Sequence, residues 1–305
     1  MEEQDGINLT ERIATNNNLW KAYTKVKENK GAPGVDGITV NALKGHMKRY
    51  LEPLKRKLKD GTYQPQPVKR VAIPKPDGSK RYLGIPCALD RVVQQAILQV
   101  IDPIIDPQFS DNSYGFRKGR NAHQAIRKAE TYYEEGYRVV VDCDLKSYFD
   151  TLHHHRIRAY LGYFIQDKTV LRLIWKFLRS GILDKDIYIE TNKGAPQGGP
   201  LSPLLANVYL NMLDMELEKR GHRFIRYADD FVIYVKSKRA GERVMESITH
   251  YLENDLGLTI NNEKSQVTSA TKATFLGFNI QNLMGKSDAD LAGRRNNDSK
   301  INLES

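Results

Sequence analysis

The chain has 305 residues, 40% of them hydrophobic, and a formal charge of +10, so it can bury one large core or two modest ones and is not a disordered protein. Its two cysteines, Cys87 and Cys143, each lie in an apolar stretch, which argues against a disulfide framework or zinc site and for a reducing compartment. No apolar run is long enough to span a bilayer and the acidic start Met1–Asp5 is unlike a signal or transit peptide, so the expectation is a cytoplasmic protein with a polyanionic partner and no membrane contact.

Leu9, Ile13, Leu19, Trp20, Tyr23 and Val26 recur at helical spacing over residues 9–29, with a break expected at Asn16-Asn17-Asn18. Gly31-Ala32-Pro33-Gly34-Val35-Asp36-Gly37 lacks the Gly-Lys-Ser/Thr ending of a phosphate-binding loop and reads as a structured turn. A helix follows from Asn41, taken as its N-cap, to about Lys59, bent at Pro53, with a basic face suited to phosphates or simply to solvent. Residues 68–83 read as a hairpin turning at Asp77-Gly78, and Pro74 and Pro76 predict an edge strand that projects from the body. Lys75 and Arg81 on that hairpin suit a triphosphate, and equally suit a solvated edge.

Asp90 to Ile101 predicts an apolar helix closed at Asp102-Pro103, and residues 123–135 another. Between them Tyr114, Phe116, Arg117, Lys118 and Arg120 mix aromatics with cations, a pattern for stacking on bases and contacting phosphates, or a basic turn before a helix. His153-His154-His155 reads as the approach to a helix, because adjacent histidines rarely converge on one metal. A helix over 169–180 and a short strand at Tyr188–Thr191 precede the stiff turn Gly194–Pro200, where Gln197 can read a base edge or a sugar, or merely cap. Leu201-Ser202-Pro203 then opens a long apolar helix to about Lys219. Later come a helix near 241–255, a hairpin arm at Phe275-Leu276-Gly277-Phe278, and from Lys286 a polar composition that predicts disorder.

The chemistry concentrates in two places. Phe224-Ile225 and Phe231–Val235 flank Arg226-Tyr227-Ala228-Asp229-Asp230, a hairpin with two aspartates at its turn. Val139-Val140-Val141-Asp142-Cys143-Asp144 is a second apolar strand ending in acid. Three carboxylates from two strand ends make a hard oxygen site for Mg²⁺, with room for two ions.

In order, Gly-Val-Asp-Gly, Leu-Gly-Ile-Pro, Ser-Tyr-Gly-Phe-Arg, Asp-Leu-Lys-Ser-Tyr-Phe-Asp, Pro-Gln-Gly-Gly-Pro-Leu-Ser-Pro, Tyr-Ala-Asp-Asp and Phe-Leu-Gly-Phe resemble the motifs of reverse transcriptases, most closely those encoded by group II introns, from about Gly31 to Ile280. The resemblance implies an α+β right-hand polymerase with an antiparallel palm sheet. It divides the chain into an N-terminal helical extension (1–30), fingers interleaved with palm (31–135), palm (136–285) and a tail (286–305). No thumb is expected after Phe278, so the chain reads as the front of a longer protein. Position by position, Asp144, Asp229 and Asp230 match the catalytic carboxylates, with the Leu145 carbonyl in the metal shell. Phe149 matches the residue beneath the incoming sugar, Lys75 and Arg81 the cations on the triphosphate, Gln197 the residue beside the nucleotide, and Lys264 the proton donor to pyrophosphate. The implied cofactor is a pair of Mg²⁺ ions, with Mn²⁺ as a substitute. The implied partners are an intron RNA template, a DNA or RNA primer and deoxynucleoside triphosphates, in a bacterial cytoplasm; no oligomeric state is specified. A maturase role in splicing comes with the resemblance, as do two alternatives: a non-catalytic intron RNA-binding scaffold, or a reverse transcriptase of another class such as the retron type.

Overall fold

A computed structural model describes residues 8–74, 80–196 and 198–279, the side chains of His46, Arg81 and Asn279 excepted. Lys75, the Asp77-Gly78 turn, Gln197 and the polar tail lie outside the described residues. Helices and short strands alternate through two compact units, giving an α+β chain. The first unit takes residues 1–109 and 149–209 and the second takes 110–148 and 210–305. The chain therefore passes between them three times.

In the first unit, α1 (Leu9–Ile13) and α2 (Asn16–Glu28) are separated at Ala14-Thr15, where the Thr15 hydroxyl accepts from Asn18 N and starts the second helix. The Gly31–Gly37 turn is held by Arg91, which donates to the carbonyls of Lys30 and Ala32 at 3.1 and 2.9 Å. Helix α3 (Val40–Lys59) is capped by Thr39, whose hydroxyl accepts from Ala42 N, in place of the expected Asn41. Helix α4 (Ala88–Ile105) runs through Pro103, because the fully buried Ile101 and Ile105 continue its apolar face past the predicted stop.

Strands β1 (Val68–Pro74) and β2 (Lys80–Ile85) form the expected hairpin. The first is not wholly an edge strand. Its sheet runs β2-β1-β4-β5, with β4 (Ile182–Asp184) parallel to β1 at Val68 and Lys69 only, and β5 (Ile187–Ile189) outermost. Among the described pairs, Pro74 faces only β2, so the proline costs no second ladder.

The second unit is built on the antiparallel sheet β6-β7-β3-β8, with β6 (Arg223–Tyr227), β7 (Asp230–Val235), β3 (Val139–Cys143) and β8 (Gln266–Ser269). One face, through Val140, Val232 and Tyr234, packs on Ala125, Ala129 and Tyr132 of α5 (Ala122–Glu134) and on Phe275. On the other, α10 (Lys238–His250) lies so close that a Cβ on its Gly241 would stand 2.5 Å from Val267 Cγ1. Strands β9 (Thr274–Phe275) and β10 (Phe278–Asn279) turn through Leu276 and Gly277, both at positive φ, as a two-residue hairpin requires. The first unit also holds α7 (His154–Phe164) and α8 (Lys168–Leu178), while α6 (Tyr148–Thr151) and α9 (Ser202–Lys219) each span a boundary between the units in sequence. Among the described residues no helix is long and apolar enough to cross a membrane. Both cysteines are buried and unbridged.

Candidate active site

Tyr227 pairs with Asp230 at the end of β6 and β7, leaving Ala228 and Asp229 as a two-residue turn. Ala228 adopts φ 58°, a backbone normally left to glycine. The turn is held from below. Arg226 and Asp214 are both fully buried. The Arg226 guanidinium meets the Asp214 carboxylate through Nε at 2.8 Å and through Nη2, and its Nη1 donates to the Ala228 carbonyl at 2.8 Å. From the side, Tyr114 N donates to the Arg226 carbonyl and Arg226 N to the Asn112 carbonyl. A Cβ on Gly115 would lie 2.2 Å from Ala228 N, so that position must be glycine.

Strand β3 brings the other acids. Its register with β7 ends at Cys143 opposite Phe231, so one step further Asp144 stands opposite Asp230. Asp142 shares the sheet face of Asp144, since side chains alternate along a strand. The loop before β8 secures Asp144: Asn261 Nδ2 donates to its carboxylate at 2.9 Å, Asn261 N to its carbonyl at 2.8 Å, and Asp144 N donates to Ser265 Oγ at 3.0 Å. Leu145, its side chain buried, bridges to Ile260, and the exposed Lys264 sits in the turn that follows Asn261.

Asp230 reaches solvent, yet desolvation by the protein around it, then the charges of Asp142, Asp229 and Asp144, push its carboxyl up to about 7. Burial, then Asp144, raise Asp142 to about 6 against a hydrogen bond from Gln266. Four mutually repelling carboxylates are the donor chemistry of a hard divalent cation. Among the described residues no three His, Cys, Asp or Glu side chains are already gathered into a ligand set, so ligation requires these side chains to turn toward the ion.

Other expected contacts are redistributed. Tyr114 and Arg117 are buried, Arg117 donating to the carbonyls of Ser110 and Ser113 at 2.7 and 2.8 Å. Phe116, 42% exposed with φ 58°, and the exposed Lys118 remain open to a ligand. Arg120 pairs with Asp111 and lies over the Tyr114 ring. Phe149 belongs to the first unit, where its carbonyl accepts from Ala195 N at 2.8 Å; Arg81 is placed on β2 by its backbone. Asp142, Asp214, Asn261 and Gly115 were missed by the sequence reading. Only Asp142, two residues before Asp144 on an alternating strand, left a local signal.

Residues 73–280 match the family described as reverse transcriptase (RNA-dependent DNA polymerase). Protein YkfC of Escherichia coli (strain K12) is 35% identical, over 82% of this chain and 77% of its own length. The group II intron-encoded protein LtrA of Lactococcus lactis subsp. cremoris is 32% identical, over 85% of this chain and 54% of its own, so the chain spans about half of that relative. Among solved structures, a chain of a partial Cas6-RT-Cas1–Cas2 complex superposes with TM-score 0.51 at 27% identity, covering 82% of this chain and 43% of that one. An apo telomerase from Candida tropicalis gives 0.56 at 14% identity, covering 70% and 52%, a likeness of fold alone.

Proposed function

Because the chain belongs to the reverse transcriptase family, we propose that it is the RNA-directed DNA polymerase part of a group II intron-type protein, a right-hand palm and fingers that extend a primer on an RNA template. The observation that carries this reading is the strand register that sets Asp144 opposite Asp230, beside the turn bearing Asp229. Asp144, Asp229 and Asp230, with the Leu145 carbonyl, would hold two Mg²⁺ ions, or Mn²⁺ in their place, which supply an activated primer 3′-hydroxyl and neutralise the departing pyrophosphate. Asn261 orients Asp144. Arg226 fixes the turn that presents Asp229.

Lys75 and Arg81 add positive charge to the triphosphate, where charge accumulates as the α-phosphate is attacked. By the resemblance, Gln197 would contact the nucleotide and Lys264 would give a proton to pyrophosphate. Phe149 fills the space of a ribose 2′-hydroxyl and so selects deoxynucleotides. The cationic surface and the likeness to LtrA favour a splicing role beside polymerisation, read by intron splicing with and without the protein. Asp229→Ala is expected to abolish primer extension on an RNA template while RNA affinity is kept; extension at the parent rate would defeat the assignment. Phe149→Ala is expected to admit ribonucleotides, and unchanged discrimination would make Phe149 a core residue only.

A further inference from the structure

Between Asp150 and Asp184 the chain has one acid, Asp167, among six Lys and Arg residues. Asp167 is already engaged: it accepts from Thr169 N and Val170 N as the cap of α8, and from the amide and hydroxyl of Thr10. Two of the cations also point inward, since Arg156 bonds Tyr209 and Lys176 donates to the carbonyls of Gly61 and Tyr63. Arg158, Lys168, Arg172 and Arg179 stay exposed. A solvated helix pair ordinarily intersperses both signs; α7 and α8 carry none of the negative one.

These cations have an aromatic centre. The Trp175 ring lies 4.8 Å from that of His155, and the guanidinium carbons of Arg158 and Arg179 stand 5.6 and 5.8 Å from its centre. A guanidinium resting on an indole is held in place before any ligand arrives, so less freedom is lost when it grips a phosphate. The Arg179 ion pair with Glu190 joins side chains 39% and 61% exposed, a pair of little worth in water that a phosphate can replace. From this geometry we propose that the α7–α8 face is a docking site for single-stranded RNA, with Arg158 and Arg179 on neighbouring phosphates beside Trp175. The site deepens the polymerase reading, on which it rests for the identity of the polyanion, and it uses none of the acids at the turn of β6 and β7 or on β3.

The test uses the full chain with Trp20→Phe, which leaves Trp175 as the sole indole. A labelled RNA single strand of about 20 nucleotides is titrated without metal or nucleotide, reading Trp175 emission and RNA anisotropy together. The expected result is one saturable curve in both signals. Arg158→Gln with Arg179→Gln should weaken binding at least about tenfold and lower the slope of log affinity against log salt by about 1.4, two phosphate contacts at about 0.7 each. Lysine at both positions should restore the slope. Saturating anisotropy with unchanged Trp175 emission, an unaltered slope in the glutamine variant, or equal competition by polyglutamate or by DNA of the same sequence would overturn the proposal. Primer extension by the same variants separates the two readings: extension with no effect at this face defeats only the docking site, and the reverse defeats only the polymerase.

Discussion

Arg226 and Asp214 show how one buried pair can do more than stabilise. Removing one partner of such a pair leaves the other charge unpaired, at a cost of about 3–5 kcal/mol, whereas replacing both by apolar side chains is often close to neutral. Arg226→Met should therefore lower the urea midpoint sharply, and Asp214→Leu with Arg226→Met should recover most of it. Extension should stay low in the double variant, because nothing then donates to the Ala228 carbonyl. Full recovery of extension would show that the pair only stabilises. Asp90 offers a second test. It is buried, accepting from Tyr63 Oη at 2.7 Å and Gln66 N at 3.0 Å, and burial lifts its carboxyl to about 6. The folded chain then holds this proton more tightly than the unfolded one, so the group's contribution to stability increases as pH falls from about 7 toward 4. A rise from 3.8 to about 6 corresponds to about 3 kcal/mol. Thermal melts at about pH 7.5 and 5.5, between which roughly 1 kcal/mol of this develops, should show Asp90→Asn lacking the gain; an equal gain in both would remove Asp90 as its source. The aspartates of the turn were readable because apolar runs bracket them. Asp214 and Asn261 were not, because a partner far along the chain leaves no local trace.

At the scale of elements, Asp167 joins two helices. It caps α8 and binds Thr10 of α1. Burial alone would raise its carboxyl, but these hydrogen bonds together hold it below the usual carboxylate range. Its contribution is present above the unfolded value and is lost as pH falls through the folded one. An N-cap change to alanine usually costs about 1 kcal/mol. Asp167→Ala should cost about 2–3 kcal/mol in urea unfolding, since charged hydrogen bonds to Thr10 go with it; a loss of about 1 kcal/mol would make it a plain cap. The long helices were legible from their period, and β3, β6 and β7 from apolar, β-branched runs. Strands β4 and β8 were not foreseen. The first has three residues, and the second, Gln-Val-Thr-Ser, pairs on one side only and needs little apolar character. The proline rule misled at α4, which continues past Pro103 because one missing bond costs less than the packing gained.

For the whole molecule, the charge of +10 sets a salt response. RNA affinity should fall linearly in log salt, steeply between about 50 and 200 mM, as read by filter binding; a constant affinity would exclude phosphate contacts as its source. The α+β class was legible in the alternation of patterns, whereas the interleaving of fingers with palm came only with the resemblance, since composition does not record which segments meet. That interleaving has a consequence for synthesis. Strand β3 is flanked by β7 and β8, and Asp142 pairs with Val232 roughly ninety residues later. At typical ribosomal rates the apolar run Val139–Val141 waits roughly five to twenty seconds for its first strand partner. During that interval it is a sticky nascent segment, and a pause in translation before Phe231 lengthens its exposure. Synonymous codons upstream of β7 are therefore a lever on the yield of folded protein that leaves every residue of the mature chain unchanged.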